Sequence, residues 1–281
     1  MLTVPLVLLM SQAPSLPNLV PHPQSVFLSG GELSVSEPVE ILTDPSLAGL
    51  KEFLPASLRG TNGQAGKSKT LIKLTKDPSE KGHSIVIAAR GIEIRGRDAE
   101  SVFHGIQTLR QLEIRKGRFL CVQIKDHPRF SWRGCHVDTA RRFMPLTWLY
   151  KLIDELARHK MNVLHLHLTD DQGWRLEIKQ YPRLTEVGSQ REDSQTHDDP
   201  DKFEGKPHGG FYTQAQMREL VAYAAARHVT VVPEIEMPGH SQAAIASYPE
   251  LGNTGEQLKV SKWWGVHHNI LNVRDSTIQF Y

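Results

Sequence analysis

The chain has 281 residues, of which 39% are hydrophobic and 23% are charged, and its formal net charge is +2. These values indicate a globular protein, long enough for one large domain or two ordinary ones. The near-neutral charge, with no run of more than two consecutive Lys or Arg residues, argues against a nucleic-acid-binding surface. No apolar stretch is long enough to span a bilayer as a helix.

The first residues resemble a secretion signal. Residues 1–10 are mostly apolar and are followed by Ser11-Gln12-Ala13, a small-x-small pattern typical of a cleavage site. No Lys or Arg precedes the apolar run, so a disordered terminus or the irregular start of a fragment is the alternative. We expect residues 1–17 to be a signal peptide or a disordered start, and the protein to be secreted or periplasmic.

Residues 18–127 have the pattern of a small α+β domain. Alternating apolar and polar residues predict strands at 39–42, 70–74 and 84–87, and a strand at 91–96 completes a predicted hairpin. Asp98 is the predicted N-cap of an amphipathic helix. The apolar face of that helix consists of Val102, Phe103, Ile106, Leu109 and Leu112. Strands followed by one such helix are typical of the α+β class.

Strands and helices alternate from residue 128 onward. Strands are predicted at 131–139, 162–169 and 229–236, with helices at 145–160 and after Thr213-Gln214-Ala215-Gln216, a capping-box pattern. The side chains of the second helix that are expected to face inward are Met217, Leu220, Val221 and Ala224. This rhythm predicts a parallel sheet of the α/β class and favours a (β/α)8 TIM barrel. A full barrel takes about 250 residues, so we expect residues 128–281 to hold only its first three strands.

The segment from His165 to Trp174 carries the strongest functional pattern. An alternating apolar run ends in Thr169-Asp170-Asp171-Gln172-Gly173-Trp174, at the carboxyl end of a buried strand. Parallel α/β proteins place their chemistry at that end. His165 and His167 share one face of the strand, which would also suit a metal site, although no further histidine and carboxylate ligands are discernible.

Two cysteines, Cys121 and Cys135, lie in strand-like segments. Such residues usually behave as small buried apolar side chains, and a disulfide between them is the alternative. Their spacing is not that of a metal site.

Several ordered motifs resemble glycoside hydrolase family 20, the β-N-acetylhexosaminidases. They are Trp132-Arg133-Gly134, Asp138-Thr139-Ala140-Arg141-Arg142-Phe143, residues 165–175, Gly209-Gly210-Phe211-Tyr212-Thr213 and residues 233–240. Residues 91–98 and 105–112 resemble that family's small N-terminal domain. The resemblance covers nearly the whole chain from about residue 18.

The resemblance implies an enzyme that removes terminal N-acetylglucosamine or N-acetylgalactosamine from the non-reducing end of glycans with retention of configuration. The substrate's own acetamide oxygen is the nucleophile, and no cofactor is involved. An adjacent Asp-Glu pair, in a His-x-Gly-Gly-Asp-Glu context on the fourth barrel strand, holds the acetamide and supplies the acid. The 281 residues contain no such motif, so we expect this chain alone to be inactive.

The resemblance also assigns roles to individual residues. Arg141 is expected to bind sugar hydroxyls, for which a guanidinium fork is suited, and Asp170 with His240 to form a relay that supports the acid. Trp174 is a candidate sugar platform, with core packing as the alternative, and Glu236 is a candidate pocket residue, with a buried ion pair to an arginine as the alternative. For Asp171, a structural role is expected as much as a role in the relay.

The expected partner is a glycan with a terminal N-acetylhexosamine, and the oligomeric state is not predicted. Two other functions stay open. One is a non-catalytic glycan-binding protein that keeps Arg141 without an acid. The other is a metal-dependent barrel hydrolase using His165 and His167, although the resemblance implies that these two histidines pack in or below the site without a metal.

Overall fold

The computed structural model describes residues 16–35, 38–59, 70–196 and 198–281. The chain divides into two compact units between Arg129 and Phe130. Residues 1–15 of the predicted signal segment lie outside the described residues, so secretion stays a prediction. No helix in the described ranges combines the length and the apolar character needed to cross a membrane.

The first unit is a mixed sheet with one long helix. Its helix and strands are β1 (Ser25–Ser34), β2 (Val39–Thr43), β3 (Thr70–Lys76), β4 (His83–Ala88), β5 (Gly91–Gly96), α1 (Ala99–Leu112), β6 (Glu113–Arg115) and β7 (Arg118–Asp126). The strand order is β1-β7-β4-β5-β3-β2, with β6 paired to β7. The predicted hairpin is present as the antiparallel pair of β4 and β5.

The helix α1 forms where the sequence predicts it. The side chain of Asp98 accepts a hydrogen bond from the backbone N–H of Ser101 at 2.8 Å, which satisfies one of the free donors of the first turn. All five predicted inward residues of α1 are buried. They pack on the apolar face of the sheet, which includes Ile72, Ile85 and Ile94.

The second unit is built on three parallel strands. Its strands and α-helices are β8 (Gly134–Asp138), α2 (Leu146–Arg158), β9 (Val163–His167), β10 (Thr169–Asp170), β11 (Gly173–Trp174), α3 (Arg183–Glu186), β12 (Gln190–Arg191), β13 (His208–Gly209), α4 (Gln214–Ala225), β14 (Thr230–Glu234), α5 (Gln242–Ser247) and α6 (Asp275–Phe280). The parallel strands lie in the order β14-β9-β8. Strand, helix, strand, helix, strand is the arrangement predicted for the first part of a (β/α)8 barrel.

Capping determines where α4 begins. Gln216 N–H donates to the Thr213 hydroxyl at 3.2 Å, and Thr213 N–H donates to the Gln216 side chain at 2.8 Å. The predicted capping box is therefore present. The predicted inward face is only partly correct, because Leu220 and Ala224 are buried while Val221 is 47% exposed. Val221 follows Leu220 by one residue, which turns it about 100° away from the packed side of the helix.

Two further expectations need correction. The strand predicted at 131–139 is shorter, because Arg133 donates to the carbonyls of Phe130 and Ser131 and holds that segment in a loop. Both cysteines are free thiols, Cys121 buried and Cys135 half-buried, so the disulfide alternative is wrong.

Candidate active site

The strand register brings three ionisable side chains to one edge of the parallel sheet. Asp138 on β8 and Glu234 on β14 are the direct partners of His167 on β9. Each is the last residue of its strand, so all three lie at the carboxyl ends. The loops that follow bring Arg141, Asp170 and His240 to the same place, which is the edge that the sequence predicts as the site.

Arg141 lies at the centre of this group with its side chain 21% exposed. Its Nη1 lies 2.9 Å from Asp138 Oδ2, its Nη2 lies 2.6 Å from Asp170 Oδ2, and its Nε donates to Gln172 Oε1 at 3.0 Å. The Arg141 backbone N–H also donates to Asp138 Oδ1 at 2.9 Å. Side-chain acceptors of two segments, the end of β8 and the segment after β9, thus surround the guanidinium on three sides.

Asp170 is fully buried and connects Arg141 to His240. Its Oδ1 accepts from the backbone N–H of Asp171 at 2.6 Å and lies 3.1 Å from His240 Nδ1. Burial alone would raise the pKa of Asp170, but His167, the Asp171 N–H and Arg141 together hold this pKa below its ordinary value. An ionised carboxylate can only accept, so His240 must carry its proton on Nδ1. The predicted pair of Asp170 and His240 is therefore in hydrogen-bond contact.

His167 is surrounded by carboxylates. Its Nε2 lies 3.2 Å from Asp170 Oδ2, 3.7 Å from Glu234 Oε1 and 3.6 Å from Glu236 Oε1. Burial would lower the pKa of this imidazole, but the hydrogen bond to Asp170 and the charges of Asp138 and Glu234 outweigh burial and raise it. The carboxylates around His167 therefore favour the protonated form of its ring.

Asp171 and Trp174 support the site from behind. Asp171 Oδ1 accepts from the backbone N–H of Gln242, the first residue of α5, at 2.9 Å. Trp174 is 4% exposed and packs in an apolar cluster with Leu184 and Ile245, while its Nε1 donates to the Leu176 carbonyl at 2.7 Å. The structure thus supports the packing alternative for Trp174, whose indole offers no exposed face to a sugar.

Glu236 contacts a histidine and a second glutamate. Among the described residues it makes no ion pair with an arginine, and its neighbour is His167. Burial and a hydrogen bond shared with Glu234 raise the pKa of Glu236. Glu236 N–H donates to the Thr169 hydroxyl at 2.9 Å, which holds the loop after β14 against the end of β9.

The structure places a carboxylate, that of Glu234, beside the histidines. The sequence alone did not indicate this contact. His136, His165 and Glu234 present possible metal ligands within 4.8 Å of one another. However, His165 Nε2 lies 2.5 Å from Glu234 Oε2, whereas two ligands on a tetrahedral zinc ion lie about 3.3 Å apart. In this arrangement the two side chains contact each other directly and are not spaced as ligands of one preformed metal site.

Two buried arginines that the sequence did not single out hold the loops of the site. Arg175 is fully buried, and its guanidinium donates to the carbonyls of Ala140 and Ser189 at 2.7 Å, with further bonds to Thr139 and Gly210. Burial and the nearby Arg191 lower the pKa of Arg175 to about 9, so it stays protonated at neutral pH. No periodic pattern marks such a residue, because its partners are backbone carbonyls from separate segments.

Arg191 holds the loop that carries Arg141 in the same way, by donating to backbone carbonyls. Its Nη2 donates to the Arg141 carbonyl at 2.7 Å and its Nη1 to the Gln172 carbonyl at 2.9 Å. Burial lowers the pKa of Arg191 to about 10. One buried cation thus fixes the backbones of both Arg141 and Gln172.

The glycines of the 209–213 motif allow a close approach to the loop after β8. Gly210 has a φ of +139°, and a Cβ there would overlap the ring of Phe143. His208 Nε2 accepts the backbone N–H of Phe143 at 2.9 Å. Burial and the arginines Arg191 and Arg175 lower the pKa of His208 to about 4, so the ring is a neutral acceptor.

Comparison with known proteins gives the family. Residues 130–281 match the model of the glycosyl hydrolase family 20 catalytic domain, and residues 16–127 match that of the family's domain 2. The chain belongs to glycosyl hydrolase family 20. Both the recognition of the family and the predicted fold class are therefore confirmed.

Relatives include two proteins named beta-hexosaminidase. The protein of Porphyromonas gingivalis is 42% identical over 212 residues, which are 72% of this chain and 26% of that protein. The protein of Vibrio furnissii is 36% identical over 241 residues, which are 83% of this chain and 39% of that protein. The chain thus spans less than half the length of these curated relatives.

Solved structures of the same family have the same fold. One is a family 20 exo beta-N-acetylglucosaminidase of Vibrio harveyi in complex with N-acetylglucosamine, with a TM-score of 0.79 and 30% identity over 96% of this chain and 45% of that chain. Another is the N-acetyl-beta-hexosaminidase of Streptomyces plicatus, with a TM-score of 0.78 and 34% identity over 95% of this chain and 56% of that chain.

Proposed function

We propose that the protein acts as a β-N-acetylhexosaminidase, which removes terminal non-reducing N-acetylhexosamine from β-linked glycans. Residues 130–281 would supply its sugar-anchoring arginine and its relay pair. The observation that carries this proposal is the guanidinium of Arg141, held by Asp138, Asp170 and Gln172 at the strand ends of a family 20 domain.

Arg141 keeps donors for a ligand. A guanidinium has five N–H groups. Nε donates to Gln172 and Nη1 donates to Asp138, and Nη1 also lies 3.4 Å from His167 Nδ1. Nη2 forms a close ion pair with Asp170 Oδ2 that lacks hydrogen-bond geometry, and it faces His240 Nδ1 at 3.5 Å, which carries a proton and cannot accept. The N–H groups of Nη2 are therefore left for a ligand. Two vicinal sugar hydroxyls match the spacing of such a fork.

The relay pair would set the protonation of a neighbouring acid. Because Asp170 holds the proton of His240 on Nδ1, the lone pair of His240 Nε2 is available to accept a hydrogen bond. A carboxylic acid hydrogen-bonded there would be oriented and tuned by the buried charge of Asp170. In a substrate-assisted mechanism this acid protonates the leaving oxygen while the substrate acetamide attacks the anomeric carbon.

We further propose that residues 1–281 bind the sugar but do not hydrolyse the glycoside. The Asp-Glu pair that the family resemblance implies is not part of the printed sequence. The chain would then have the anchor and the relay without the acid.

The test combines binding and turnover. N-acetylglucosamine is titrated into the chain by calorimetry, and hydrolysis of a chromogenic N-acetylglucosaminide is followed in parallel. We expect binding that weakens at least about tenfold in Arg141→Met and no turnover. Arg142→Met is the matched control, because Arg142 is 51% exposed and its ion pair is with Glu204. Equal binding by wild type and Arg141→Met would refute the anchor, and turnover blocked by a thiazoline inhibitor would refute the inactivity.

Two other functions are separated by simple measurements. A glycan-binding protein without catalysis would show binding, and the gene sequence after codon 281 would not encode a Gly-Gly-Asp-Glu motif. A metal-dependent hydrolase would contain stoichiometric zinc after purification, and the possible ligands among the described residues include the cluster of His136, His165 and Glu234.

A further inference from the structure

Gln172 links Arg141 to a loop that is distant in sequence. It is 2% exposed, its Oε1 accepts from Arg141 Nε at 3.0 Å, and its Nε2 donates to the Trp263 carbonyl at 2.8 Å. We propose that Gln172 is a positioning residue for sugar recognition, which sets the rotation of the Arg141 guanidinium and couples it to the segment 261–264. This inference rests on the proposed sugar-binding role of Arg141.

The guanidinium needs a third point to fix its plane. Asp138 and Asp170 bind its two terminal nitrogens, and two such contacts still allow the planar group to rock about the line that joins them. The bond from Nε to Gln172 lies off that line and defines the plane. The directions of the N–H groups left for a ligand therefore depend on Gln172.

The orientation of the Gln172 amide is also determined. A guanidinium has only donors, so the amide oxygen must face Arg141 and the amide nitrogen must face Trp263. The backbone of Gln172 cannot follow the side chain, because Arg191 holds the carbonyls of Gln172 and Arg141 together. One rigid amide thus transmits a shift of the Trp263 backbone to Arg141.

The segment 261–264 is itself tied to the strand ends. Ser261 N–H donates to the Asp171 carbonyl at 3.0 Å, and the Ser261 hydroxyl accepts the N–H of Trp263 at 3.1 Å. The indole of Trp263 is 46% exposed and packs edge to face on Phe203 at 4.7 Å. A half-exposed aromatic ring is therefore coupled through Gln172 to the proposed sugar anchor.

Three variants separate the two contacts of the amide. Gln172→Leu removes both, whereas Gln172→Glu keeps an acceptor for Arg141 and loses the donor to Trp263. Gln242→Leu is the matched control, because Gln242 Nε2 binds the same loop at the Lys259 carbonyl, 2.8 Å away, and among the described residues its side chain makes no hydrogen bond to Arg141.

Two readouts are measured on the full chain. The first is the proton-exchange rate of Arg141 Nε–H by NMR, with its signal assigned by Arg141→Lys. The second is the affinity for N-acetylglucosamine by calorimetry. We expect a slowly exchanging Nε–H in wild type, Gln172→Glu and Gln242→Leu, and its loss in Gln172→Leu together with about tenfold weaker binding. A general loss of packing would not separate Gln172→Leu from Gln172→Glu in this way.

The outcomes decide the inference separately from the proposed function. An unchanged Nε–H signal and unchanged affinity in Gln172→Leu would overturn the inference and leave the proposed function intact. If wild type binds no sugar, the proposed role of Arg141 fails and the coupling to sugar recognition fails with it. If Gln172→Leu does not fold, Gln172→Asn, whose shorter side chain cannot reach both partners, takes its place with the same expected losses.

Discussion

Replacing Arg175 by methionine tests the role of the buried arginine most directly. The change keeps an unbranched chain of similar length and removes every donor. Three buried backbone carbonyls, those of Thr139, Ala140 and Gly210, lose their partner. The Ser189 carbonyl loses one of two bonds, because it also accepts the Gly210 N–H at 3.3 Å. At about 1–3 kcal/mol for each unsatisfied carbonyl and about 0.5–1.5 kcal/mol for the bond lost at Ser189, the gross loss is about 3.5–10.5 kcal/mol.

The charge of Arg175 itself opposes folding. Its pKa falls from 12.5 to about 9 in the folded chain. At 1.36 kcal/mol per unit, burying the charged guanidinium costs the folded wild type about 5 kcal/mol, and the methionine variant is free of this cost. The difference between these two effects centres on about 2 kcal/mol of net destabilisation. Since both the folded and unfolded pKa values lie above 7, this loss should not vary with pH around neutrality.

Thermal and urea unfolding of the chain measure this effect. For a unit of about 150 residues, about 2 kcal/mol lowers the Tm by roughly 4–8 °C. Arg142→Met is the control, since its half-exposed ion pair with Glu204 should contribute less than about 1 kcal/mol. A free energy of unfolding for Arg175→Met within about 1 kcal/mol of wild type would refute the reasoning, because it would mean that the carbonyls find other donors.

Four further changes have defined outcomes. The folded pKa of His208 is about 4, below its ordinary value of 6.5, so its contribution to stability is complete above about pH 6.5 and is lost as the pH falls towards 4. The difference between these two pKa values corresponds to about 3.4 kcal/mol. Because solvent screens a half-buried ring, urea unfolding should show about 2 kcal/mol of this loss, and His208→Gln, which still accepts from Phe143, should not show it. Asp170→Asn should cost about 2–3 kcal/mol at pH 7, and the gap to wild type should close as the pH falls through the lowered folded pKa of Asp170; a gap that is constant with pH would contradict this. Thr213→Ala should cost about 1 kcal/mol in thermal unfolding. Gly210→Ala should cost about 1–3 kcal/mol by the same measurement, because the added Cβ meets a ring at a positive φ.

Local signals explain what the sequence could predict. The N-cap at Asp98, the capping box at Thr213 and the alternating run that ends at His167 each depend on neighbours within a few residues, and all three are present. The location of the candidate site also follows from the sequence, because parallel strands place their carboxyl ends along one edge. The roles of Arg141, Asp170 and His240 stay predictions, although the structure brings the three side chains together.

The remaining features depend on contacts between distant segments. Arg175 belongs to the motif that identified the family, yet its burial follows only when four carbonyls converge on it. Asp171 is next to the predicted relay residue but binds the start of α5, about 70 residues further on. Glu234 ends β14, and its register opposite His167 places it beside three histidines, His136, His165 and His167. Composition and periodicity contain no information about such pairings.

Asp170 makes the proposed anchor and the proposed relay a single unit. Its Oδ2 lies 2.6 Å from Arg141 Nη2, and its Oδ1 lies 3.1 Å from His240 Nδ1. A ligand that draws Arg141 away removes positive charge from Asp170, and the carboxylate then holds the Nδ1 proton of His240 more strongly. Binding of the sugar would thereby affect the protonation of His240, which supports the acid, without any movement of the strands. The carboxylate is fully buried, so little solvent screens this coupling.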